Sequence, residues 1–288
     1  MVRSYSPWVG LLAYIVVLAL FFIRPLANLM LYAAGSDLHS HILLVPLVAG
    51  YLLKTQRPSL PAPGRRSGGG AAVFVAVGVA ALAAAFNWRE TLSVNDHLAL
   101  VALAFVSLLA AGGFLFLGSK WMAAAAFPVA FLIFMVPLPD AAVEALETAS
   151  AIASAEAAAL CFSVAGTTVV RHGTVFELPG IVLEVARECS GIRSSWVLLI
   201  TSTLAAHMFL KSPWRRLALV AFVIPLGSLR NGFRVFVIGL LCVHVGPHMI
   251  DSVIHRNGGP LFFALSLGPL FLLLWWLRHR ERRASLDD

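Results

Sequence analysis

Residues 98–117 read LALVALAFVSLLAAGGFLFL, twenty consecutive positions without a charge. That is the length an α-helix needs to cross the hydrocarbon core of a bilayer. The rest of the chain has the same character. Of its 288 residues, 60% are hydrophobic and 12% charged, and the mean hydropathy is +0.88. Soluble domains carry about 25% charged residues. A soluble globular enzyme, a disordered chain and a fibrous one are all excluded, and an all-α polytopic membrane protein remains. Outward from 98–117, the apolar runs suggest eight spans, at roughly 8–24, 39–53, 71–86, 98–117, 121–138, 192–210, 217–241 and 260–277. Together they form one integral-membrane domain over 1–288, with no appended soluble module expected after the last span. The first run, Trp8 to Ile23, is followed by Arg24-Pro25 and lacks a small-residue cleavage site, so it reads as a retained span rather than a signal peptide.

The net charge is +7, and the basic residues sit in short loops between apolar runs. They read as topology determinants facing anionic headgroups rather than as a nucleic-acid surface. Lys54, Arg57, Arg65 and Arg66 fall in one loop, Lys120 in a turn, Lys211, Arg215 and Arg216 in another, and Arg278, Arg280, Arg282 and Arg283 in the tail. Placing all of these in the cytoplasm puts both termini there too. Parity then bears on 141–164, an Ala-rich helical stretch that contains Glu144, Glu147 and Glu156. If it crossed, the basic turn 211–216 would fall outside, so 141–164 is expected to lie against the outer face or re-enter from it. After it, 167–185 changes to strand-like alternation, with Gly173 and Pro179-Gly180 as turns, so a small hairpin or meander is expected just before Cys189. Three cysteines, Cys161, Cys189 and Cys242, make no disulfide framework and no C-x-x-C pair.

Polar groups at span ends carry the chemistry. The run Arg187-Glu188-Cys189-Ser190-Gly191-Ile192-Arg193-Ser194-Ser195 joins the strands to the sixth span. A cysteine in a helix's first turn feels the positive end of the dipole, and Arg193 lies one turn on. Both effects favour the thiolate. The same spacing also fits a small buried apolar cysteine. The seventh span holds Arg230-Asn231-Gly232-Phe233-Arg234. Its two arginines are at i and i+4, on one helix face, and an arginine at depth costs about 2.5–3.5 kcal/mol on insertion scales. They need paired or watered surroundings, and Arg230 is too deep to snorkel. The last loop carries His244, His248, Asp251 and His255. Histidine is the natural base near neutral pH. His244 and His248 also share an i, i+4 face, but no H-E-x-x-H pattern accompanies them, so neither metal nor cofactor is expected. His207 reads as an ordinary interfacial polar residue. Thiol, arginine and histidine converge on the external side of the last three spans, an arrangement suited to thiolate attack on a peptide carbonyl at the water–lipid boundary.

These residues are where the chain resembles the exosortase/archaeosortase family, integral-membrane cysteine transpeptidases. The resemblance runs through Gly-Ser-Asp-Leu-His-Ser-His-Ile-Leu-Leu-Val-Pro (35–46) and the Phe127-Pro128 to Pro139 run. It continues through Glu188-Cys189-Ser190-Gly191-Ile192-Arg193-Ser194, Asn231-Gly232-Phe233-Arg234-Val235, and His255 ahead of Gly258-Gly259. It implies Cys189 as nucleophile, Arg234 as essential arginine and His255 as acid/base, with Glu188, Arg193, Arg230, Asn231, Asp37 and His41 supporting them or contacting substrate. It further implies substrates that are exported proteins ending in a short motif such as Pro-Glu-Pro, a transmembrane helix and a basic cluster. They would be cut on the periplasmic side of the inner membrane and transferred to a surface acceptor, in connection with exopolysaccharide or biofilm. Two other readings compete. A polysaccharide-precursor transporter would use Arg230 and Arg234 for an anionic cargo. A secretion scaffold would use the polar groups to hold helices together.

Overall fold

A computed structural model describes residues 6–185, 191–251 and 258–287. The chain forms two compact units, 1–140 and 141–288.

The first unit is helical. Helices α1 (Pro7–Phe21) and α2 (Ile23–Ala34) meet at a 68° bend. Pro25 in the first turn of α2 has no N–H to donate to Phe21, which explains the break. A 3-10 turn (Ser40–Leu43) leads to α3 (Val45–Gln56), and α4 (Gly68–Asn87) and α5 (Val94–Phe116) follow as a long antiparallel pair. Ser93 caps α5 by accepting from the Asp96 N–H at 3.0 Å. Small residues set the α4–α5 contact: Ala71, Gly78, Ala81 and Ala85 make one buried stripe on α4, and a Cβ on Gly78 would come within 2.9 Å of Leu108. The Tyr14 hydroxyl of α1 donates to the Leu108 carbonyl at 2.9 Å, so α5 is held from two sides. The last helical stretch of this unit is broken into α6 (Ser119–Ala124), α7 (Ala126–Phe131) and a 3-10 turn (Leu132–Met135). Asn95 and Asp96 at the start of α5 then bind the outgoing chain. Asn95 Nδ2 donates to Leu138 O at 2.7 Å and to Asp140 Oδ1 at 2.8 Å, and the Asp140 N–H donates to Asp96 Oδ1 at 2.8 Å.

The second unit starts with α8 (Asp140–Val164) and a three-stranded antiparallel meander, β1 (Val170–His172), β2 (Val175–Leu178) and β3 (Ile181–Glu184), in spatial order β1-β2-β3. The expected strands and both turns are present, with Gly173 and Gly180 in the left-handed region at φ 64° and 85°. Alternation puts Phe176, Leu178, Leu183 and Val185 into a core with Ala151, Ala155, Ala158 and Phe162 of α8. A bidentate Arg171–Glu156 pair, at 2.7 and 3.0 Å, ties β1 to the same helix. Helices α9 (Ile192–Phe209), α10 (Pro213–Ala221), α11 (Val223–His244) and α12 (Gly259–Asp287) form the remainder around Leu198, Leu219, Leu226, Leu270 and Leu274. The Glu281 carboxylate accepts from the backbone N–H groups of Lys211 and Ser212 at 2.9 and 2.7 Å and pairs with Arg215 at 3.3 Å. The basic turn and the basic tail therefore share one end of this unit.

The count of eight spans is not confirmed. Among the described residues five helices are long and apolar enough to cross a membrane, or six if the bent α1–α2 pair is one span. The expected spans 39–53 and 121–138 are short or broken helices. The polar residues Arg193, Ser194, Ser195, Thr201 and His207 dilute α9. Conversely α8 is one continuous 25-residue helix that qualifies on length and composition. Its three glutamates, Glu144, Glu147 and Glu156, and the charge rule are what argue against its crossing.

Candidate active site

Helix α11 organises the site because glycines let its neighbours approach. A Cβ at Gly227 would meet Ser195 Oγ of α9 at 2.6 Å. One at Gly232 would meet Ala157 Cβ, Ser154 O and Ala158 N of α8 at 2.5, 2.7 and 2.8 Å, and one at Gly239 would meet the Phe162 ring at 2.6 Å. The helix is thus held between α8 and α9 at distances only glycine permits. Beside Gly232, Asn231 is 2% exposed and donates from Nδ2 to Ser154 Oγ at 3.1 Å. Asn231 and Gly232 therefore form the α8–α11 crossing.

Arg230 faces the start of α9. It is 7% exposed, and Nη2 donates to the Gly191 carbonyl at 2.9 Å and to Ser195 Oγ at 3.2 Å. Its Nη1 has no hydrogen-bond partner among the described residues. Gly191 adopts φ +75°, and a Cβ there would lie 2.9 Å from Arg230 Nη2 and 3.2 Å from Asn231 Oδ1. The position requires glycine both for its backbone and for the room it leaves. The Gly191 carbonyl also accepts from the Ser195 N–H at 3.0 Å and from Ser194 Oγ at 3.1 Å, which fixes the first turn of α9.

Arg234, one turn further along α11, is half-buried. With Asn231, Val235 and Ile238 it lines a cavity of about 50 Å3 whose other wall is Leu183, Glu184 and Val185 at the end of β3. The cavity is large enough for a water molecule beside a guanidinium. Arg234 thus shares a cavity with Val185, and Arg230 binds Gly191, the described residues that precede and follow 186–190 in the chain.

Cys189 and Glu188 belong to that segment, and with His255 they lie outside the described residues. Arg193 is exposed on the first turn of α9, while Cys161 is half-buried and Cys242 buried, both as free thiols. Asp37 and His41 are in the first unit. Asp37 is exposed, and His41 Nδ1 lies 3.0 Å from Leu38 O. Between them His39, which the sequence did not single out, is buried against the Tyr32 ring with Nδ1 3.1 Å from Ser36 Oγ. Burial lowers both imidazole pKa values from the ordinary histidine value, aided at His39 by the neighbouring His41. No group of three His, Cys, Asp or Glu side chains suited to a metal is present among the described residues.

Sequence reasoning missed Ser154, Ser195 and the part played by Gly191. A signal for Ser154 existed: it falls in the stripe Ala151, Ser154, Ala155, Ala158, Phe162, the i, i+3, i+4, i+7 pattern of a buried helix face. A serine in such a stripe needs a partner, and Asn231 is that partner.

A family model described as a transmembrane exosortase matches residues 33–272, across both units. No curated protein and no solved structure matches the chain.

Proposed function

Since this chain belongs to the transmembrane exosortase family, we propose that it is a membrane-embedded cysteine transpeptidase acting on C-terminal sorting signals of exported proteins. Cys189 is the nucleophile. Its thiolate adds to the scissile carbonyl, the peptide C–N bond breaks, and an acyl-enzyme thioester remains. His255 carries the thiol proton to the leaving amine and then deprotonates the acceptor that releases the acyl group. Arg234 supplies positive charge to the oxyanion that forms on the carbonyl. Arg230 and Asn231 are positioning residues for that helix, and Glu188, Arg193, Asp37 and His41 serve the substrate path.

One observation carries this reading: a single helix bears Arg230, which binds Gly191, and Arg234, which shares a cavity with Val185, and these are the described residues on either side of 186–190 in the chain. Helix α11 can therefore hold that segment and stabilise charge beside it. The shared end of the basic turn and basic tail supports a cytoplasmic position for both, with the site facing the periplasm and α8 outside the bilayer. The substrate class, with its short motif, transmembrane helix and basic cluster, and a link to exopolysaccharide, belong to the same proposal.

The test is Cys189→Ala in a strain expressing a tagged sorting-signal substrate. Processing is expected to stop while the variant stays in the membrane fraction at wild-type level. Undiminished processing would overturn the assignment and favour a transporter or scaffold, both indifferent to that sulfur.

A further inference from the structure

The first unit has a cavity that the transpeptidase reading does not use. It measures about 800 Å3 and is lined by Trp8 and Leu11 of α1, Leu53 and Lys54 of α3, Arg57, and Trp121 of α6, with the Leu60–Pro63 stretch closing it. That size suits a drug-sized or larger ligand. Trp8 and Trp121 stand edge to face with ring centroids 6.0 Å apart. Trp121 is buried and Trp8 half exposed, so the wall they form is continuous from the interior to the surface.

The charge around it is one-sided. Within residues 1–140 the only acids are Asp37, Glu90, Asp96 and Asp140. All four sit where α2 ends, α5 begins and the chain leaves the unit. The cavity is at the opposite end, where the loop after α3 hydrogen-bonds to the end of α5 through Gly64 N–H to Leu117 O at 2.9 Å and Ser67 N–H to Phe114 O at 3.1 Å. Lys54, Arg57, Arg65, Arg66 and Lys120 lie at that end with no acid among them. Neither Lys54 nor Arg57 has an ion-pair partner among the described residues. An apolar, tryptophan-walled cavity with two unneutralised cations at its rim, at the end of membrane helices, matches one chemistry: an acyl chain joined to an anionic headgroup.

We propose that this cavity binds one anionic diacyl phospholipid, with its phosphodiester at Lys54 and Arg57 and an acyl chain against Trp8, Leu11, Leu53 and Trp121. The site is independent of the Cys189 chemistry. It fastens the α1, α3 and α6 ends of the first unit to one lipid and selects for headgroup charge.

The experiment uses the full-length protein purified in detergent, supplemented with phosphatidylglycerol or phosphatidylcholine of identical chains and examined by native mass spectrometry. One phosphatidylglycerol is expected to be retained in clear excess over phosphatidylcholine. In K54Q/R57Q the retention should fall about 30-fold, at the usual attraction of a basic side chain for anionic lipid. R65Q/R66Q makes the same charge change in the same loop but away from the cavity wall, and should retain lipid like the wild type. A second measurement does not depend on those variants: phosphatidylglycerol with brominated chains should quench tryptophan fluorescence in the wild type, and less so in W8F. Equal retention of the two lipids, equal loss in both double variants, or unchanged quenching in W8F would each overturn the proposal. So would displacement of the bound species by millimolar inorganic phosphate, which would mark a site for the free anion.

Discussion

Arg230, buried in α11, donates to the carbonyl of Gly191, thirty-nine residues earlier in the chain, at 2.9 Å. The contact fixes the chain two positions beyond Cys189 and spends a buried guanidinium on a backbone oxygen rather than on a carboxylate. A charged hydrogen bond of this kind is worth about 1.5–3 kcal/mol, and it also turns the first helical turn of α9 toward α11.

Arg230→Lys keeps the charge but loses the planar fork that reaches Gly191 O and Ser195 Oγ together. Processing of a sorting-signal substrate is expected to drop about 10- to 100-fold, the rate equivalent of that hydrogen-bond energy. The variant should remain in the membrane at wild-type abundance. Measured rates within twofold of wild type would show that the latch does not serve catalysis.

Gly232→Ala pushes a methyl group into the Ala157 side chain and the backbone at Ser154 and Ala158, none of which is a flexible side-chain end. A loss of about 1–3 kcal/mol is expected from such overpacking, read as a lower melting temperature in detergent. Gly50→Ala supplies the contrast, since a Cβ there meets nothing within 4 Å. It should leave melting unchanged or raise it.

Phe176 is fully buried between α8 and the sheet, with its ring centroid 5.6 Å from Phe162. Phe176→Ala is expected to cost about 3–5 kcal/mol and to expose the 170–185 stretch to limited proteolysis. Arg171→Ala breaks the pair with Glu156, whose side chain is 67% exposed, together with the Arg171 Nε bond to the Gly173 carbonyl at 2.7 Å and a cation–π contact over the Phe176 ring. Its effect in the same assay should be far smaller, because solvent screens the pair.

Acidification should destabilise the first unit. Burial lowers the pKa of His39 in the folded state, so as pH falls below the free-histidine value of about 6.5 the unfolded chain takes up a proton that the folded chain refuses. Stability is therefore full above that pH and declines below it until the folded imidazole itself titrates. His39→Gln should flatten the melting-temperature profile between about pH 6.5 and 5 relative to wild type. A profile unchanged by that substitution would assign the acid sensitivity to other groups.

The meander was legible in the sequence because its information is local: alternation of period two in Val175–Leu178 and Ile181–Glu184, with glycine at both turns. The deep arginines were legible for a related reason, as charges where hydrocarbon is expected. The number of spans was less legible. Apolar runs such as 121–138 are long enough to cross, yet Pro128 and the competing 3-10 geometry of Leu132–Met135 break the helix within them. Hydropathy measures solvent preference and is blind to such breaks. Helix α8 shows the converse, a helix long enough to cross whose three glutamates argue otherwise.

From its sequence alone, this protein was determined to be a multi-pass helical membrane protein with a strand insert ahead of Cys189 and two arginines one turn apart on one helix face. Those properties follow from composition and from periods of two and 3.6 residues, which short windows contain. Which neighbour each residue of Arg230-Asn231-Gly232-Phe233-Arg234 meets was decided only by tertiary structure: Gly191 for Arg230, Ser154 for Asn231, the backbone of α8 for Gly232, the Phe262 ring of α12 for Phe233, and the end of β3 for Arg234. Successive residues on a helix point about 100° apart, so a five-residue motif addresses several neighbours at once. Their identity depends on how helices distant in sequence pack, with glycines at the crossings setting how closely they approach.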